Sequence, residues 1–339
     1  MEKPQKGRQL WADVAKGIAI LLVAINHCGN GILVREPLPD GSRGWDFFTG
    51  FSYSFMVPVF FFISGWFDEK RLKPPGQRVK AIATGLLYPC ALWMMLQATI
   101  LHFLRKESIP LWKSLYYFVI YDPMQFWFFR ALFGLLLLSM LWRAIRLPAL
   151  ARVLLAVGMY ALYRQNLFSN VVNDILKSAL FFELGVGLAG FSKAPGWLEN
   201  RAVAAALGGL ALTGCAMLFP AGGWLYLAAS LLGVAGVLLI STAVRLPWGE
   251  PLAMLGRASL AIYCAHLFFS SGFRPLHGPL GISSFGWQLT IGSFLGVAGP
   301  LVLAWLDRCW GGWIFRFPTT EQVERVATSA NLPQAPLHQ

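Results

Sequence analysis

The sequence predicts an all-α, polytopic integral membrane protein with about ten transmembrane helices. Of the 339 residues, 56% are hydrophobic and only 13% are charged, a composition too apolar for a soluble domain. The runs 47–67, 81–104 and 275–306 contain no charged residue, and each exceeds the about 20 apolar residues that span a bilayer. The run 202–244 is also free of charge for 43 residues, which predicts two spans joined at Pro220–Gly223.

The basic residues predict which loops face the cytoplasm. The formal net charge is +12, but Lys and Arg cluster between the apolar runs, as in cytoplasmic loops, and do not form a nucleic-acid-binding surface. The pattern places both termini in the cytoplasm, and the fifth and sixth predicted helices are shorter and more polar than the rest. The ten predicted helices cover about 13–34, 47–67, 82–104, 125–142, 149–164, 174–191, 202–219, 224–244, 252–272 and 286–307.

The first predicted helix carries two ionisable residues at a notable spacing. Lys16 and His27 are eleven residues apart, which on a helix leaves them about 20° apart in direction and roughly 16 Å apart along the axis. Ionisable groups within membrane helices are costly and usually face a cavity or a partner. Two interpretations follow: Asp13 and Lys16 are interfacial groups and His27 bonds a neighbouring helix, or His27 is a general base reached by an anionic cofactor.

These residues also carry a resemblance. Asp13-x-x-Lys16-Gly17-Ile18, then His27, then the run Pro58–Gly65 resemble the opening of the membrane acyltransferase-3 family, in its fucose 4-O-acetylase-like, exopolysaccharide O-acetyltransferase branch. The resemblance implies a transmembrane acyltransferase domain over 1–318, with 319–339 as a disordered cytoplasmic tail. It also implies that His27 is the catalytic general base and that Lys16 contacts the phosphates of acetyl-CoA, the acyl donor.

Further candidate residues come from later segments that are similar to the family. Trp127 and Arg130 open the fourth predicted helix, and Tyr263 and His266 form a late Tyr-x-x-His segment; the resemblance implies substrate contacts for all four. An aromatic belt explains Trp127 equally well, and His266 equally fits a core histidine bonded to its neighbours. Where the family carries an Arg-x-x-Arg pair, this chain has Arg78 and Lys80 at a different spacing, and these are the remaining candidate cofactor contacts.

Four other residues have structural interpretations. Ser64 and Gly65 are small residues that allow close helix packing. Cys28 follows His27 directly, and adjacent helical residues point about 100° apart, which disfavours a Cys–His dyad. For Glu183, within the sixth predicted helix, two interpretations stay open: it anchors the fold through a basic or hydroxyl partner, or it lines the cavity. The five cysteines show no metal-ligand spacing, so no metal is expected.

The sequence and the resemblance together predict an inner-membrane O-acyltransferase. The expected partners are an acyl-CoA, a saccharide or lipid-linked glycan acceptor, membrane lipids and other polysaccharide-assembly proteins, without nucleic acid. Two alternatives stay open: a transporter that uses the buried ionisable residues as a relay, and an inactive structural partner in a polysaccharide-assembly complex. The absence of an internal repeat disfavours the transporter.

Overall fold

The computed structural model describes residues 9–36, 43–70, 73–121, 124–190, 200–245, 247–310 and 312–317. Within these ranges the chain forms thirteen α-helices and no strand. The predicted tail 319–339 lies outside the described residues. The helices are α1 Leu10–Leu33, α2 Arg43–Lys70, α3 Pro75–Ile82, α4 Tyr88–Leu104, α5 Leu111–Ile120, α6 Trp127–Ala144, α7 Ala149–Arg164, α8 Asn170–Ala189, α9 Arg201–Leu218, α10 Gly223–Ala243, α11 Glu250–Arg257, α12 Ser259–Phe273 and α13 Phe285–Cys309.

The described residues contain seven helical segments that are long and apolar enough to cross a membrane. An eighth is added if α11 and α12, which are bent by 81° relative to each other, count as one span. The fifth and sixth predicted helices correspond to α7 and α8, which fall outside this set: α7 has only 16 residues, and α8 carries Asp174, Lys177 and Glu183. The all-helical membrane fold is therefore confirmed, whereas ten spans and cytoplasmic termini stay predictions.

Two predicted helices are interrupted. The third contains a π-helical turn over Ala83–Leu87 between α3 and α4. Pro89 lacks the N–H that would bond the preceding turn, and a π turn accommodates such a missing bond. The ninth is broken at Ala258, between α11 and α12. The short helix α5 was not predicted, because its ten residues are too few for a span.

Helix α1 lies at the centre of the bundle and contacts α2, α10, α11, α12 and α13. Two glycines fix its position against α11: a Cβ at Gly17 would lie 1.9 Å from the Leu252 carbonyl oxygen, and one at Gly256 would lie 1.8 Å from that of Asp13. The backbones of the two helices therefore touch at the Asp13–Lys16 motif. This explains why glycine follows Lys16 directly.

The two ends of the bundle are defined by contacts between α1 and α2. At the end that we call the Lys16 end, the ring of Trp11 packs edge-on against Trp66 at 5.3 Å. At the opposite end, called the His27 end, the Trp45 indole donates a hydrogen bond of 2.7 Å to Asn30 Oδ1. Lys16 and His27 thus lie towards opposite ends of one helix.

Candidate active site

His27 and His266 form the centre of the candidate site. Their rings lie 5.2 Å apart, centroid to centroid, where α1 packs against α12. Among the described residues, the His27 imidazole makes no hydrogen bond. His266 is completely buried. The structure thus brings together two histidines that lie far apart in the chain.

The hydrogen bonds of His266 define its tautomer. Its Nδ1 lies 2.9 Å from the carbonyl oxygens of both Ile262 and Tyr263. Because carbonyl oxygens only accept, Nδ1 carries the proton, and in the neutral ring Nε2 carries the lone pair. That Nε2 atom is buried without a hydrogen-bond partner among the described residues. His266 is therefore a fixed acceptor beside His27.

Tyr263 connects this pair to the start of α6. Its hydroxyl donates a hydrogen bond to the Gln125 carbonyl, and its ring packs 5.1 Å from Phe129 and 5.5 Å from Phe128, centroid to centroid. The hydroxyl proton is thereby engaged by the backbone. Tyr263 holds α12 in place against α6.

Lys16 lies towards the other end of α1. Its Nζ forms a 2.9 Å ion pair with Asp13 Oδ1, and the Lys16 side chain is 23% exposed while that of Asp13 is 7% exposed. The buried carboxylate of Asp13 therefore holds the Lys16 ammonium in place, while the lysine side chain stays partly exposed. This arrangement suits a contact with an anion at the Lys16 end.

Arg78 and Lys80 differ in their surroundings. Arg78 is buried, with its guanidinium 2.5 Å from the Asp68 carboxylate and 3.2 Å from Ser139 Oγ. Lys80 is exposed. Arg78 is thus committed to an internal ion pair, whereas Lys80 is open to a ligand.

Trp127 and Arg130 belong to a polar cluster that joins α6 to α8. Arg130 Nη1 donates to the Val119 and Ile120 carbonyls at 3.1 and 2.8 Å, and its Nη2 lies 3.7 Å from Asp174. Lys177 Nζ lies 4.0 Å from the Trp127 ring centroid and 2.6 Å from Asp174. Asp174 and Lys177 were missed in the sequence, where the only signal was their i, i+3 spacing.

A buried ion-pair network at the Lys16 end was also missed. Glu183 pairs with Arg152 at 2.8 Å, and Arg152 bonds Ser139 at 3.1 Å. Asp68 in turn binds Arg78 and Arg143. Glu183 therefore has a basic partner, as a buried carboxylate requires.

A known protein family matches most of this chain. The sequence profile of a family described as an acyltransferase domain matches residues 9–305. The chain belongs to the acyltransferase-3 family. The match includes the histidine pair, Lys16 and every other candidate residue, and identifies this acyltransferase-3 protein as a multi-pass membrane acyltransferase. No curated protein and no solved structure gives a significant match.

Proposed function

We propose that this acyltransferase transfers an acetyl group from cytosolic acetyl-CoA to a hydroxyl of a cell-surface saccharide or lipid-linked glycan. The single observation that supports this most strongly is the placement of Lys16 and His27 towards opposite ends of α1, roughly 16 Å apart by helical rise. Coenzyme A carries its phosphates and its thioester at the two ends of a long arm. The protein would lie in the inner (plasma) membrane, with its Lys16 end facing the cytosol.

In the proposed reaction His27 acts as the general base. Its imidazole takes the proton of the acceptor hydroxyl while that oxygen attacks the thioester carbonyl carbon, and the C–S bond then breaks to release the CoA thiolate. The CoA thiolate takes up the proton from the His27 imidazolium, which restores the neutral base. The products are the acetyl ester and free coenzyme A.

His266 supports this role as a positioning residue. Its lone pair is fixed on Nε2 by the two carbonyl bonds to Nδ1. At a ring separation of 5.2 Å, a small movement or one bridging water brings a His27 N–H to this acceptor. The other ring nitrogen of His27 would then hold the lone pair that accepts the proton.

The remaining candidate residues divide between the acyl donor, acetyl-CoA, and the acceptor glycan. Lys16 and exposed Lys80 would contact the CoA phosphates, and Arg78 would hold Asp68 and the ends of α2 and α3 in place. Trp127 and Arg130, with Tyr263 at the α6–α12 contact, would border the acceptor. The resemblance favours an exopolysaccharide acceptor, as in the fucose 4-O-acetylase-like branch.

The test is acyl transfer by purified protein in nanodiscs, with isotope-labelled acetyl-CoA and a panel of glycan acceptors. The proposal predicts label in the glycan as an alkali-labile ester, with one CoA released per ester formed. If no acceptor is labelled, while proteoliposomes containing the protein move protons or sugars, the transporter hypothesis is correct and the proposal is wrong.

A further inference from the structure

Arg274 lies at the His27 end, directly after α12, and its guanidinium is turned onto α1. A Cβ built at Gly31 would lie 1.8 Å from Arg274 Nη2 and 2.4 Å from its Cζ. Only the missing side chain at Gly31 leaves room for the guanidinium there. Gly31 follows His27 by four residues, so it lies about 6 Å further along the axis and about 40° around it. Arg274 therefore lies beside the face of α1 that carries the proposed base.

The charge of Arg274 is not compensated within the part of the chain that the structure describes. None of the ion pairs among those residues includes Arg274. Its Nε is buried and has no hydrogen-bond partner within the described ranges. Glu36, the acidic residue that ends the described part of this segment, instead accepts a 3.0 Å hydrogen bond from Gln288. A half-buried guanidinium always carries its charge, so it needs an anion to offset its desolvation.

We propose that Arg274 binds an anionic group of the acceptor, and hence that the acceptor is an anionic glycan. This inference rests on the proposed function and names its substrate class. One helical turn between Gly31 and His27 corresponds to the separation of a charged substituent and a hydroxyl on the same or the adjacent sugar. The guanidinium fork binds either a carboxylate or a phosphate with two parallel hydrogen bonds. The anion is thus the carboxylate of an acidic sugar or the phosphate of a lipid-linked glycan.

The experiment compares matched acceptors in nanodiscs. One pair is an oligosaccharide containing uronic acid and its carboxyl-reduced, neutral counterpart. The other pair is a neutral oligosaccharide carried on a polyprenyl diphosphate and the same oligosaccharide free. The wild-type protein should favour the anionic member of one pair, and the identity of that pair distinguishes carboxylate from phosphate.

The decisive readout is the ratio of kcat/KM for the anionic over the neutral member. Arg274→Gln should lower this ratio roughly ten- to 100-fold, as expected for a lost hydrogen bond to a charged group. Arg274→Lys should lower it less, since Lys keeps the charge but not the fork. Gly31→Ala should also lower it, because the new methyl group displaces the guanidinium. Arg308→Gln, which changes an exposed arginine at the Lys16 end, should leave the ratio unchanged.

Two results would overturn the inference: a wild-type protein without preference for either anionic acceptor, or equal losses for both members of a pair in Arg274→Gln. The second result would assign Arg274 to the fold or to lipid headgroups. If the protein acetylates nothing, the proposed function fails separately. In that case, tryptophan fluorescence can measure binding of the same oligosaccharides to the His27→Ala protein. Replacing Arg274 in this background should abolish the preference for the anionic oligosaccharide.

Discussion

At the scale of single residues, the neighbouring side chains of His27, the proposed base, and Cys28 point in different directions. The Cys28 sulfur lies 3.9 Å from the Leu289 carbonyl oxygen on α13, and a Cβ at Gly292 would lie 2.6 Å from it. The His27 ring instead contacts His266 on α12. Adjacent helical residues differ by about 100° in direction, so the thiol does not share the histidine pair's space. This geometry agrees with a base-catalysed transfer that has no cysteine intermediate.

Lys16 gives the first prediction, on the donor side. Lys16→Gln should raise KM for acetyl-CoA roughly ten- to 100-fold, the effect of losing one hydrogen bond to a charged group, with little change in KM for the glycan. Lys16→Glu should raise it further through repulsion of the phosphates, and Lys16→Arg should retain part of the affinity. The measurement is initial-rate kinetics with each substrate varied in turn.

The exposed Lys113 on α5 supplies the control, and Lys113→Gln should leave both constants unchanged. If Lys16→Gln behaved in the same way, Lys16 would be only an anchor of α1. A contact far from the reacting atoms stabilises the ground state and the transition state about equally. Its loss should therefore raise KM more than it lowers kcat.

The sequence predicted how Lys16 and His27 are placed on one helix, but not which residues surround them. The spacing of Lys16 and His27 is a local property of one helix, so helical periodicity alone predicted the relative directions of the two side chains. The juxtaposition of His27 with His266 depends on how α1 and α12 pack, and no periodicity carries that information. The same holds for Glu183, whose need of a partner was predicted while Arg152 itself was not.

At the scale of helices, the crossing of α2 and α8 shows how small residues build the scaffold. A Cβ at Gly65 would lie 2.0 Å from the Phe182 carbonyl oxygen, and one at Gly185 would lie 2.0 Å from that of Phe62. The two backbones therefore touch, as small residues allow in membrane bundles. The crossing brings Glu183 next to the ion-pair network at the Lys16 end. The predicted packing role of Gly65 is thus seen directly in the structure.

The second prediction concerns this crossing. Gly65→Ala should destabilise the protein by about 1–3 kcal/mol, as overpacking does, because the obstacle is backbone and not a flexible side chain. Thermal unfolding in detergent measures the effect. Gly209→Ala is the matched control, since a Cβ at Gly209 meets nothing within 4 Å; it should be neutral or slightly stabilising. Equal melting temperatures for the two variants would show that α2 and α8 do not pack this closely.

Helix boundaries were predicted best where hydropathy alone determines them. The charge-free run 202–244 corresponds to α9 and α10, with the turn after Ala221. The π turn before Pro89 and the 81° bend between α11 and α12 were not predicted. Both depend on backbone geometry within apolar segments, where composition does not change.

At the scale of the whole molecule, α7 and α8 decide the number of spans. The eight segments that hydropathy supports, with the bent pair counted once, become ten only if both α7 and α8 cross. Much of α8 is buried against α2, α6 and α7, including Asp174 and Glu183. A helix enclosed by protein needs less apolar surface than one that faces lipid, so the charges of α8 are compatible with the predicted crossing.

The third prediction tests this topology. Reporter fusions after Lys73, Arg146 and Arg201 should report the cytoplasm, and fusions after Arg43 and His277 the opposite face. The discriminating position is Leu167, 71% exposed between α7 and α8. In a Cys309→Ser background, Leu167→Cys should react with a membrane-impermeant maleimide added from outside. Protection of this thiol until the membrane is permeabilised would leave only eight spans.

The most direct test of the central claim is the kcat of the His27→Ala protein for acetyl transfer, measured at saturating acetyl-CoA and acceptor. Loss of the general base predicts a fall of about 10²- to 10⁴-fold, with KM for acetyl-CoA and the melting temperature nearly unchanged. His102→Ala, at a histidine that hydrogen-bonds Ser114 away from the pair, should retain its kcat. A His27→Ala protein with near wild-type kcat would contradict the assignment of His27 as the base.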